Sequence, residues 1–287
     1  MANNETVLRL KELAHEYRIK FLKLCGECGD SVHIGGDLSS ADVMIALYHY
    51  KMNVDPKNIS MPDRDRFVLS KGHGAACMYV AMAMKGFFDY DEIVRTYGKT
   101  DSAFGMHPCK VHLPGVESSA GSLGHGLPVS VGMALAARQR GEAHRVFCLM
   151  GDGETCEGTT WEAAQTAASS QLGNLVGIVD RNYQLMSSYT EGDIVLEPYM
   201  DKWRAFGWRV IEVNDGNDMQ QLVDALDSLP HASSKQPTVL ICNTIKGKGV
   251  SFMERQLQWH GNVLSKENME IALAEVEANW KKERGEV

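Results

Sequence analysis

The sequence has no apolar run of the roughly 18 residues that a membrane-spanning helix needs, so no span is expected. It has no excess of positive charge either. Its net charge is −8, with acidic and basic residues interspersed, which argues against a nucleic acid partner. The 7 cysteines are an odd number scattered without a framework, as suits a reducing cytoplasm. Cys25 and Cys28 form a lone Cys-x-x-Cys without the second pair that zinc would need, so they read as two thiols one helical turn apart. The start, Met1-Ala-Asn-Asn-Glu5, is polar and leads into a charged helix, unlike a secretory signal. No repeat, low-complexity tract or linker divides the chain. What is left is an ordinary globular composition, 44% hydrophobic and 23% charged, in 287 residues. That length can bury a large core, and a single domain over residues 1–287 is expected.

Helix and strand patterns alternate along it. Val7, Leu10, Leu13, Ala14, Tyr17, Phe21 and Leu24 give residues 5–28 a helical period. Helices are also predicted over 41–50, 75–85, 127–140, 157–170, 219–229 and 265–284, with a short one inside 193–206. Short apolar runs at 66–69, 145–150, 175–179, 208–213 and 238–242 read as strands. The fold class is therefore α/β, a mostly parallel sheet with helices on both faces. The segment from His33 to Ser40 holds Gly35 and Gly36 and is expected to be irregular and open to a ligand. The glycine-rich stretch 98–126 is longer than most loops in compact domains, and such loops are usually functional.

The centre of the chain is Gly151-Asp152-Gly153 with Asn182. The first group ends one buried strand and the second ends the next, with a helix between. Ligands bind at that carboxyl edge in open parallel sheets. The two glycines allow a tight turn whose N–H groups can approach an anion. Asp152 offers one carboxylate, Asn182 a neutral oxygen, and a main-chain carbonyl just beyond, that of Gln184, a third. Hard oxygens without Cys or His suit Mg²⁺ or Ca²⁺, and so few charges imply that a ligand's phosphates complete the shell. A dinucleotide fingerprint fails because Cys156 stands where its third glycine belongs, and no Gly-Lys-Ser/Thr triplet exists for a P-loop. The plainer reading is a glycine turn with a capping Asp and a turn Asn. His33, His73, His107 and His260 each sit beside glycine or proline in a predicted loop that can reach the same edge. Neutral imidazoles there can bind sugar hydroxyls and move protons near pH 7.

Gly-Asp-Gly, 28 residues and then Asn182 resembles the thiamine diphosphate motif. His33-Ile-Gly-Gly-Asp-Leu-Ser, Ser70-Lys-Gly-His73-Gly, Gly105-Met-His107-Pro, Leu113-Pro-Gly-Val-Glu, Gly121-Ser-Leu-Gly-His-Gly and Trp259-His260-Gly resemble transketolase motifs in their order, over residues from about 30 to 262. The resemblance implies the thiamine diphosphate-binding fold of the diphosphate (PP) type. It implies that Asp152, Asn182 and the Gln184 carbonyl hold Mg²⁺ on the diphosphate, which Gly153 and His73 also contact. Gly121, Ser122 and Leu123 then line the thiazolium and aminopyrimidine, and His33, His73, His107 and His260 face the sugar. Glu157 matches an acid that links two cofactors across a dimer; the alternative is a carboxylate at a helix N-terminus. The family often has Asn at Lys71, Gln at His125 and a β-branched apolar residue at Gln184.

A complete transketolase is more than twice as long. The resemblance thus implies the N-terminal subunit of a split, cytoplasmic enzyme, moving a two-carbon ketol unit between a ketose and an aldose. A C-terminal subunit with the pyrimidine-binding domain would complete it, as a homodimer of heterodimers. Phosphorylated and unphosphorylated sugars both stay open. The alternatives are another split thiamine diphosphate enzyme (a 2-oxoacid dehydrogenase component or a deoxyxylulose-phosphate synthase) and a non-catalytic scaffold. An exposed apolar patch is expected where the companion binds.

Overall fold

In the computed structural model, residues 4–286 are described. Met1 to Asn3 and Val287, the ends of the expected one-domain span, lie outside them. The strands β1 (Arg66–Leu69), β2 (Val146–Gly151), β3 (Leu175–Arg181), β4 (Arg209–Val213) and β5 (Thr238–Asn243) form one sheet in the order β1-β2-β3-β5-β4, with every neighbouring pair parallel.

Helices cover both faces. One face carries α1 (Asn4–Glu27), α2 (Ile34–Ser39), α3 (Ala41–Ala46), α4 (Ala75–Lys85) and α5 (Tyr90–Thr96). The opposite face carries α6 (Gly126–Gln139), α7 (Gly158–Ser169) and α8 (Tyr199–Ala205). The first face is completed by α9 (Met219–Asp227) and α10 (Lys266–Glu283). Alternate residues of β2 serve the two cores: Phe147 and Leu149 enter the first, Val146, Cys148 and Met150 the second. That is why the run is apolar throughout instead of alternating. Each large side chain so buried contributes about 1.5–3 kcal/mol.

Three expectations need correction. His33 is followed by α2, not by irregular backbone, and Gly35, Gly36 and Asp37 are buried within it. Close packing overrides the low helix propensity of glycine there, since a Cβ on Gly35 would stand 2.8 Å from the Trp259 carbonyl oxygen. The helix expected from Glu157 starts at Gly158, after a 3₁₀ turn over Gly153–Cys156. The helix expected over 41–50 ends in a π-helical turn, Leu47–Lys51. The sequence reading also missed α5. Its signal was there: the Asp89 side chain caps the Asp91 N–H at 3.0 Å, and Glu92 follows three residues on.

Candidate active site

The carboxyl ends of β2 and β3 put Asp152 and Asn182 side by side. Asp152 is 1% exposed; its Oδ1 accepts from the Gly153 N–H at 2.9 Å and its Oδ2 from the Tyr183 N–H at 2.8 Å. Burial pushes its carboxyl up to about 6 and the charge of Asp180 adds to this, against those two N–H groups and Arg181. A desolvated carboxylate of this kind favours a cation. Tyr183 lies in the left-handed region at φ 63°, turning the chain so that Gln184 N–H donates to Asn182 Oδ1 at 3.1 Å. The capping and turn roles of Asp152 and Asn182 are therefore met in the same geometry as the candidate metal site. The Gln184 side chain donates to the Arg255 carbonyl at 2.7 Å, so the proposed ligand there is the main-chain oxygen. Among the described residues no group of three or more His, Cys, Asp or Glu could hold a metal ion. One carboxylate, one amide oxygen and one main-chain carbonyl are hard donors, and that set fits a hard cation that brings phosphate oxygens with it.

The N–H of Gly151 is not open to an anion, as the turn had implied: it donates to Glu154 Oε2 at 3.1 Å. That leaves Gly153. Glu154, which sequence reading did not single out, is the buried carboxylate of this turn. Its Oε1 accepts from Gly124 N–H at 2.8 Å and from the Ser70 hydroxyl, and Ser70 Oγ in turn accepts from Gly126 N–H at 3.0 Å. One side chain so ties the ends of β1 and β2 to the loop before α6. A Cβ on Gly126 would lie 2.3 Å from that of Ser70, so the fastening requires glycine. Glu157 is exposed at the start of α7 and lies against Gly124. Gly121, Ser122 and Leu123 lead to this fastening. Gly121 packs on Gly72, where an added Cβ would meet its nitrogen at 2.7 Å, and it adjoins the His107 ring.

The structure brings the four histidines together. The His33 ring centroid lies 5.2 Å from His73, 5.5 Å from His260 and 6.4 Å from His107, and His73 stacks on His260 at 5.5 Å. Burial first, then neighbouring positive charge, lowers His33 to about 4, His73 to about 2 and His260 to about 3. The cationic groups facing them are Lys71, Lys246 and one another. All three are neutral at pH 7. Because their folded values lie below the ordinary 6.5, the unfolded chain takes up protons first, and stability falls as pH drops below 6.5. Each contributes at most about 1.4 kcal/mol per pH unit, less for the part-exposed His33 and His260. Urea unfolding between pH 7 and 4.5 is therefore expected to show a loss that shrinks by several kcal/mol in a triple His→Gln variant. An equal pH slope in both proteins would contradict the assignment.

Beneath the imidazoles lies a buried ion pair. Lys71 Nζ is 2.7 Å from Asp180 Oδ2, with side chains 1% and 0% exposed. Lys71 also donates to the Gly36 carbonyl at 2.7 Å. Asp180 further accepts from Ser39 Oγ at 2.7 Å, Asn182 Nδ2 at 3.0 Å and Thr244 Oγ1 at 2.5 Å. Burial alone would lower the Lys71 pKa, but the attraction of Asp180 outweighs it and leaves Lys71 raised. For Asp180 burial works upward, and Lys71 with the hydroxyl donors brings it below the usual range. Lys246, which no motif in the sequence marks, is 2% exposed. Its Nζ contacts His260 Nδ1 and the Leu185 carbonyl, each at 2.9 Å.

The match to solved transketolases and to their family model makes this parallel sheet the thiamine diphosphate-binding fold. Residues 19–284 match the family described as "Transketolase, thiamine diphosphate binding domain", and the chain belongs to the transketolase family. It is 40% identical to one of the named subunits of the apulose-4-phosphate transketolase of Actinobacillus succinogenes, over 93% of this chain and 95% of that protein. It is 39% identical to 6-deoxy-6-sulfo-D-fructose transketolase subunit SqwG of a Clostridium species, over 96% and 98%. The solved transketolase from Leishmania mexicana superposes with a TM-score of 0.87 at 28% identity, covering 96% of this chain but 42% of that one.

Proposed function

We propose that this chain, as one domain over residues 1–287, is the diphosphate-binding subunit of a two-chain transketolase that moves a two-carbon ketol unit from a ketose to an aldose. The observation that carries the reading is the gathering of four histidine rings beside the Asp152–Asn182 end of two parallel strands. Asp152, Asn182 and the Gln184 carbonyl hold Mg²⁺ (or Ca²⁺) against the diphosphate, with Gly153 and His73 at its side. Gly121, Ser122 and Leu123 border the rings of the cofactor. Bound thiamine diphosphate supplies the electron sink for cleaving and forming the carbon–carbon bond. The protein's part is to orient the sugar and move its protons: neutral His33, His73, His107 and His260 hold hydroxyls and pass protons among sugar oxygens. Glu157 faces outward, suited to a contact across a dimer.

Near-complete alignment with two proteins named as subunits supports a separate companion chain; in our reading that chain carries the pyrimidine-binding domain and the two form a homodimer of heterodimers. Exposed Tyr183, Met186, Tyr189, Ile194 and Val195 supply apolar surface for such an association. A cytoplasmic setting agrees with the unpaired cysteines; among the described residues no helix is long and apolar enough to cross a membrane. The test is reconstitution. Calorimetric titration of thiamine diphosphate with Mg²⁺ is expected to show weak binding to the chain alone, tightening at least about tenfold (~1.4 kcal/mol) with the product of the neighbouring reading frame. Only the mixture should transfer two-carbon units. Turnover by the chain alone would rule out the split enzyme, and equal binding with and without the partner would favour a scaffold.

A further inference from the structure

We propose that Lys246 is a positioning residue that fixes His260 as the imidazole protonated on Nε2, making this histidine a hydrogen-bond donor toward the sugar. The inference rests on the reading of the histidines as sugar-facing groups. An ammonium carries three donors and no acceptor. Set 2.9 Å from His260 Nδ1, Lys246 Nζ as an ammonium can donate there only if that nitrogen offers its lone pair; burial, with the charge of Lys71, lowers Lys246 to about 8, so the condition holds below that pH. The ring proton of a neutral imidazole then sits on Nε2. A second donor of the same ammonium is spent on the Leu185 carbonyl, so the group is held from two sides.

The placement of Lys246 is built in. Its stem runs over Gly35, where an added Cβ would meet Lys246 Cγ at 3.0 Å and the Trp259 carbonyl at 2.8 Å. Its own carbonyl accepts from the Arg255 N–H at 2.8 Å. The residues on either side are tied as well: Ile245 N–H donates to Asn217 Oδ1 at 3.0 Å, and Gly247 N–H to the Gly35 carbonyl at 2.9 Å. A lysine so anchored differs from a solvated surface lysine, whose head sweeps many rotamers. The two glycines that sequence reading took as a sign of irregular backbone thus acquire a use: Gly35 makes room for the lysine that orients His260. Partners behind a functional imidazole commonly set its tautomer in this way.

The experiment is long-range ¹H–¹⁵N correlation spectroscopy of the histidines in the full-length labelled chain at pH 6.5, where Lys246 is an ammonium and His260 is neutral, with His260 assigned by the loss of its signals in His260→Gln. The expected result is a single Nε2–H pattern for His260 in the natural chain. It should persist in Lys246→Arg, which keeps a donor-only head, and give way to a mixed or Nδ1–H pattern in Lys246→Met. An Nδ1–H or mixed pattern in the natural chain overturns the proposal, whether or not the variants fold. An unchanged pattern in a folded Lys246→Met also overturns it. In the reconstituted pair, Lys246→Met should lower kcat by about 10–100-fold with a smaller change in KM for the donor, and Lys246→Arg should recover most of the loss. If the pair transfers no two-carbon units at all, the functional reading fails while the spectrum still decides the tautomer.

Discussion

Asp152→Ala is expected to weaken binding of thiamine diphosphate with Mg²⁺ by about 10²–10³-fold, some 3–4 kcal/mol, in a chain that remains folded. The effect is large because Asp152 is the one charged ligand proposed for the cation and lies in a desolvated position. Its carboxylate gives up two accepted N–H bonds on truncation, worth about 1.5–3 kcal/mol each, but its own burial cost disappears with it. Asp152→Asn keeps the size and removes the charge, and should show most of the same loss. Gln184→Leu, by contrast, should change affinity less than about threefold, because the ligand proposed there is a main-chain oxygen. Calorimetry on the three variants reads this directly. Binding by Asp152→Ala equal to that of the natural chain would remove the metal site from consideration.

Lys71→Met is expected to destabilise the chain by about 3–5 kcal/mol, since it strands Asp180 as an uncompensated buried charge. Asp180→Asn should cost a similar amount by stranding Lys71. The double variant should lose clearly less than the sum of the two, and that shortfall is the coupling of the pair. Urea unfolding midpoints with unchanged slopes give the three numbers. Additive losses would mean that the two charges do not depend on each other. Because Asp180 also accepts from Asn182, the single variants should weaken metal–diphosphate binding as well, though less than Asp152→Ala.

The sheet was readable from sequence because its central strands are buried on both faces and so are apolar without alternation. The four histidines were readable because each stands within two residues of glycine or proline. Glu154, Asp180 and Lys246 were not. A lone charged residue after an apolar run looks like the point where the chain reaches water, yet all three are buried and paired. Their partners, Gly124, Thr244 and His260, are remote or neutral in pattern, so spacing carries no signal. Glu154 and Glu157 show this: they stand three residues apart, and Glu154 is the buried one because Ser70 and Gly124 donate to it. Helix α2 was hidden for a related reason, since two glycines lower local propensity while the packing that selects them comes from residues 246 and 259.

The strand order has a consequence for synthesis. The chain is made from its N-terminus, and β1, β2 and β3 each find a sheet neighbour already made or next in line. β4 also finds its neighbour next in line, β5, but it cannot join β1–β3 without it, because β5 lies between β3 and β4. Until residues 238–243 emerge, β3 has a bare edge and Arg209–Val213 has nothing to pair with. The groups that fasten the floor of the site, Thr244 and Lys246, follow immediately. The nascent chain thus carries Asp152 and Asn182 from mid-synthesis, but the site closes only with its last quarter.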